Sequence, residues 1–186
     1  MYPFGYGLSY TQFRYCDLQV EKNGQEVLVR VRVENIGDRD GKEVVQLYVS
    51  APNGQLHKEY QSLAAFAKTD LLSPGESQTL LLRFDLGELA SFREEDASFL
   101  LEQGDYILRL GNSSRNTQVV GVLELNGEAI VSKHDHISPL RQPLEELKGS
   151  AYAFDAGDAQ RIVIDAAAVE TKVYTYEVPE ICDDPK

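Results

Sequence analysis

Tryptophan is absent from these 186 residues, methionine occurs once and histidine three times. Without tryptophan the chain cannot build the Cys–Trp–Cys core of antibody-type sandwiches. Its two cysteines, Cys16 and Cys182, stand near opposite ends. They form no dense framework of the kind that staples small secreted scaffolds, so two free thiols are expected, in a cytoplasmic rather than secreted setting. Cations are scarce too: 18 lysines and arginines face 30 acids, a net charge of −12. That balance argues against nucleic acid and against anionic lipid, because both need clustered basic groups. No run approaches the roughly 20 apolar residues of a membrane helix. The basic start and apolar stretch of a signal peptide are missing as well.

What the chain does have begins one residue after its Met. Tyr2-Pro3-Phe4-Gly5-Tyr6-Gly7-Leu8-Ser9-Tyr10-Thr11 carries four aromatic rings and two glycines. Chain ends are usually polar and frayed, so this much ring area is expected to bury against something. Gly5 and Gly7 interrupt helix and strand alike, which predicts an irregular backbone presenting rings. Tyr2, Phe4, Tyr6, Leu8 and Tyr10 are therefore the candidate interface residues, at an edge expected to continue a larger protein upstream.

From Phe13 to Leu125 the pattern is β. Val27, Val29, Val31 and Val33 alternate with Leu28, Arg30, Arg32 and Glu34, a period of two that predicts a strand with one wet face. Val45, Leu47 and Val49 repeat that pattern after the turn cluster at Asn35 to Gly41. Pro52-Asn53-Gly54 and Ser73-Pro74-Gly75 break the chain again. Leu63 to Leu72 is less regular. Thr79 to Leu86, Phe99 to Glu102, Tyr106 to Leu110 and Val119 to Leu125 read as further strands, and Leu89 to Asp96 as a connector holding a helical turn. About seven short strands with these turns predict an antiparallel sandwich, immunoglobulin-like or fibronectin type III-like in pattern. Beyond it, Ser138 to Pro143 reads as an extended linker and Leu144 to Leu147 as a helical turn. Gln160 to Asp165 and Thr171 to Val178 read as two more strands.

Little in this pattern carries chemistry. Glu94-Glu95-Asp96 is the densest acidic cluster, but neighbours on a turn diverge and nothing apolar encloses them, so a solvated turn is the reading. His134 and His136 could share one face and touch a zinc ion, yet no third ligand is evident, and no metal is assigned. Cys16 has only Arg14 nearby to activate it and is expected to pack in the first strand. Asn112-Ser113-Ser114 is a glycosylation acceptor only in a secreted eukaryotic setting. Ten tyrosines could stack on sugars, but no row of exposed rings is visible in the sandwich.

The opening decapeptide closely resembles the FPFGYGLSYT signature of family 3 glycoside hydrolases, the β-glucosidase and β-xylosidase group. Val33 to Val49 resembles that family's NTGxxxGxEVVQLYV segment. Lys68 to Glu76 is similar to its KVxLxPGE segment, and Gly104 to Ser114 to its PGxYxxxVGxSS ending. Gln61 to Phe66 departs from the Lys-Glu-Leu-Lys-Gly-Phe pattern, keeping the apolar anchors and losing the charges. The resemblance implies an all-β fibronectin type III-like sandwich over residues 12–128, preceded by a junction segment at 1–11. Residues 129–186 would be a linker and partly β extension, similar to the connection that leads to a barrel domain in a permuted subgroup. Glycosidases need two carboxylates flanking the scissile bond, and neither the family's nucleophile nor its acid/base motif has a match here. No catalytic residue and no cofactor is carried over. The implied role is a non-catalytic accessory domain that packs on the parent's catalytic barrel and α/β sandwich domains, with homo-oligomerisation through the parent left open. An independent carbohydrate-binding module and a surface adhesion domain are the alternatives.

Overall fold

A computed structural model describes residues 2–136 and 155–174 of the chain. In chain order the strands are β1 (Phe13–Asn23), β2 (Glu26–Asn35), β3 (Val44–Ser50), β4 (Ser62–Lys68), β5 (Ser77–Asp85) and β6 (Ser91–Arg93). They continue with β7 (Ser98–Leu101), β8 (Gly104–Ser113), β9 (Asn116–Leu125), β10 (Ala129–Lys133), β11 (Arg161–Ile164) and β12 (Lys172–Val173).

The valine alternation of β2 does what its period requires: Val27, Val29, Val31 and Val33 are all fully buried. β2 lies between β1 and β5 in a three-stranded antiparallel sheet. Its valines face Leu47, Leu108, Leu110 and Leu123 of a second sheet, ordered β11-β9-β8-β3-β4, and Leu80, Leu82 and Phe84 of β5 complete the core. The antiparallel sandwich expected from the sequence is what forms. β3 departs from one-sided burial, since its outward residues Gln46, Tyr48 and Ser50 are buried as well as its inward ones. The Tyr48 hydroxyl donates to Gln46 Oε1 at 2.5 Å, and Gln46 Nε2 donates to Asn112 O at 2.8 Å, so that polar face is largely paired.

Four local features differ from the expected pattern. The less regular segment after Gln61 holds β4, whose register shifts opposite Leu47 and Tyr48. The helical turn is a 3₁₀ turn at Leu86–Leu89, earlier than expected because the Asp85 carboxylate caps it by accepting from Gly87 N. Beyond it, β6 and β7 join β10 and β12 in a small sheet of their own. β1 carries a bulge at Asp17, which sits at φ 52 while its carboxylate meets Arg32 Nε at 2.6 Å.

Of the late strands, β11 adds to the large sheet by parallel pairing with β9, from Arg161↔Val122 to Ile164↔Leu125. β12 pairs in parallel with β10. The expected linker at Ser138 to Pro143, the turn at Leu144 to Leu147 and Cys182 lie outside the described residues.

Candidate functional site

Thr11 ends the aromatic arm and fastens it. Its hydroxyl donates to Asn35 Oδ1 at 2.6 Å, and both partners are buried. Asn35 is the hub of this end of the sandwich: its Nδ2 donates to Arg39 O at 2.7 Å and to Leu72 O at 2.8 Å, while Gly37 N donates to its Oδ1 at 3.1 Å. The turn after β2 must also make room for Thr11. A Cβ on Gly37 would lie 2.2 Å from Thr11 Oγ1, and one on Gly41 would lie 2.6 Å from Thr11 Cγ2. The turn glycines and the last residue of the decapeptide are therefore one packed unit.

Upstream of Thr11 the backbone remains held. Gly5 has φ +76 and lies against Gln46, where a Cβ would come within 2.1 Å of Nε2. Ser114 N donates to Phe4 O at 2.9 Å, and Tyr6 N closes a turn onto Pro3 O at 3.1 Å. The side chains point away. The rings of Tyr2 and Tyr6 stack on each other with centroids 4.7 Å apart. Even so, Tyr2, Phe4, Tyr6, Leu8 and Tyr10 are all exposed, from 49% for Tyr6 to 96% for Tyr10. An arm with a fixed backbone and bare rings is a surface of unusual apolarity.

Beneath the arm lie two clefts with Glu43 in both walls. One, of about 590 Å³, runs from Ser9 and Phe13 to the β8–β9 hairpin; the other, of about 370 Å³, lies under Gly5 to Ser9. Glu43 is only 8% exposed. The Tyr15 hydroxyl donates to its Oε1 at 2.8 Å, and its own backbone N donates to Thr69 Oγ1 at 2.9 Å. Burial pushes the Glu43 carboxyl above the usual carboxylate range, against the opposing pull of the Tyr15 hydrogen bond. Burial, then the charge and hydrogen bond of Glu43, push the Tyr15 phenol well up. Neither Asn35 nor Glu43 was singled out by the sequence. A glutamate opening a strand reads as a wet edge until the arm covers it.

At the other end of the large sheet, Glu102 organises the loop after β3. Its carboxylate meets the Lys58 ammonium and accepts from Gln55 N at 2.5 Å and Leu56 N at 3.3 Å. Burial pushes this carboxyl up, but Lys58 and the two amides outweigh it and hold it below the usual range.

The other sequence candidates fall elsewhere. Glu94 and Glu95 are exposed on a turn, and Asp96 is held far below its ordinary pKa by hydrogen bonds from Arg93 and Ser98. Cys16 is a free thiol with Sγ 3.5 Å from Arg32 O. The His134 ring stacks on Tyr174 at 4.9 Å and meets Phe99 edge-on at 5.6 Å, while Phe99 lies 5.0 Å from Phe92. Four rings thus form a row across the small sheet, which the sequence did not reveal because they come from four separate segments. Among the described residues no three histidine, cysteine or carboxylate side chains converge as a metal would require. No described helix is long and apolar enough to cross a membrane.

The profile of the fibronectin type III-like domain matches residues 43–114. Over 172 residues the chain is 38% identical to β-glucosidase A of Butyrivibrio fibrisolvens, covering 81% of this chain and 21% of that protein. The solved structure of β-glucosidase 3B from Thermotoga neapolitana in complex with α-D-glucose superposes with a TM-score of 0.63 at 45% identity, over 68% of this chain and 18% of that one. The family 3 β-glucosidase of Bifidobacterium adolescentis gives a TM-score of 0.62 at 29% identity, over 80% of this chain and 20% of its own. The chain spans about a fifth of the length of these relatives. The chain thus carries a fibronectin type III-like domain and is similar over most of its length to β-glucosidases, one of them of glycoside hydrolase family 3.

Proposed function

We propose that this chain serves as a non-catalytic accessory domain of a β-glucosidase, packing on the catalytic barrel and α/β sandwich domains and stabilising them. The observation that carries the reading is the arm: its backbone is fixed by Thr11, Phe4 and Gly5, while its rings stay bare. An ordered apolar strip left uncovered is what an interdomain contact needs, since its backbone requires little further ordering on docking. In this reading residues 1–11 are the junction and residues 12–128 the sandwich. Residues 129–186 form an extension that returns to the sheets through β11 and β12.

The purified chain is expected to release no nitrophenol from a nitrophenyl glucoside, and measurable turnover would overturn the reading. A Phe4→Ser/Tyr6→Ser/Tyr10→Ser variant removes ring area without touching the core. It is expected to keep the chain's own thermal midpoint and to lose retention by the separately produced catalytic domains.

One observation favours a second reading, a carbohydrate-binding module: the half-exposed row of Phe92, Phe99 and Tyr174 with His134. Titration against soluble and insoluble glucans separates the two, because saturable binding that is lost in Phe92→Ala would favour the module.

A further inference from the structure

Two charged residues are buried with no more than 8% exposure among the described residues, Glu43 and Glu102. Glu102 has a cation of its own in Lys58. Glu43 has a phenol and nothing more: Tyr15 occupies Oε1, and no ion pair to Glu43 occurs among the described residues. Two basic residues line the clefts, and neither pairs with Glu43. Arg14 of β1 lines the larger cleft but is bound to Glu34 at 2.7 Å, and Lys42, the preceding residue, is exposed beside the smaller one. A carboxylate buried to this degree is expected to find a cation.

Resting on the accessory-domain reading, we propose that Glu43 receives an arginine side chain presented by the protein surface on which the arm docks. The larger cleft opens onto Glu43 and is lined by Phe13, Tyr15, Gln12, Asn116 and Gln118. A planar guanidinium can lie on an aromatic face while its several donors reach a carboxylate and amide carbonyls together. An ammonium has no such face. The clefts and the arm share Ser9, which places Glu43 beside the segment that the docked surface would cover.

The first test uses the chain alone, with ¹³C-labelled glutamate and N-acetyl-argininamide as probe, against the neutral N-acetyl-citrullinamide. The arginine probe is expected to shift the Glu43 carboxyl resonance saturably and to lower its titration midpoint toward the ordinary carboxylate range, whereas the citrulline probe does neither. Equal shifts with both probes, or none with the arginine probe, overturn the proposal. The second test measures binding to the catalytic domains. Glu43→Gln keeps the shape and is expected to weaken binding roughly tenfold, with Glu34→Gln as a surface control of little effect. If the triple ring variant weakens binding and Glu43→Gln does not, the arginine proposal fails and the docking reading stands. If neither changes it, the docking reading itself fails.

Discussion

Glu43 and Glu102 stand at opposite ends of the β3–β8 strand pair, one just before β3 begins and the other just before β8 begins. At the Glu102 end the chain completes its own electrostatics. Lys58 folds back from the loop, two backbone amides add donors, and Gly54 lies so close that a Cβ there would come within 2.3 Å of the carboxylate. At the Glu43 end the chain supplies one phenol, two open clefts and a strip of bare rings. The difference separates an end finished within the fold from one that the proposed docking would complete. Burial alone does not distinguish them; the partners do.

The largest effect is expected from breaking the finished end. Lys58→Met leaves Glu102 buried without its cation and should cost about 4 kcal/mol of stability, read from denaturant unfolding. Asn35→Ala strikes the open end at its hub, orphaning two carbonyls, the Thr11 hydroxyl and the Gly37 amide. A loss of about 3 kcal/mol is expected, accompanied by proteolytic access to the arm. A loss below roughly 1 kcal/mol would show that Thr11 does not depend on the hub.

The two acids should also oppose each other in pH. Glu102 is held below its ordinary value of 4.5, so its contribution is full above that pH and is lost as pH falls through the folded value. Glu43 is raised above 4.5, so its contribution is full below that pH and is lost as pH rises through the folded value. Unfolding midpoints followed across the acidic range should therefore show Lys58→Met flattening the rising limb and Glu43→Gln flattening the falling one. The smallest effect is Glu43→Gln at neutral pH, expected to raise the stability of the chain alone by up to about 1 kcal/mol. A clear destabilisation there would mean that Glu43 is already satisfied and that the two ends do not differ.

Much of the fold was legible. The valines of β2 and the alternation in β3 and β5 announce two sheets with a shared core, because a period of two leaves no other way to bury one face. The ring content of the arm was legible, and the structure leaves those rings exposed on a held backbone. The 3₁₀ turn appeared early because its position depends on the Asp85 cap, a local bond that hydrophobic periodicity does not encode. The row from Phe92 to Tyr174 was hidden, since strand pairing assembles it from residues far apart in the chain.

The sequence by itself determined the sheets, the turns and the place of the arm, all of which follow from local periodicity, glycine conformations and ring content. Tertiary structure alone decided that Thr11 pins the arm to Asn35, that Lys58 goes to Glu102 and that no cation among the described residues goes to Glu43. Those outcomes rest on which distant residues are brought within a few ångströms and which are shut away from water. A carboxylate's charge is written in the sequence, but its partner is chosen only when the chain closes around it.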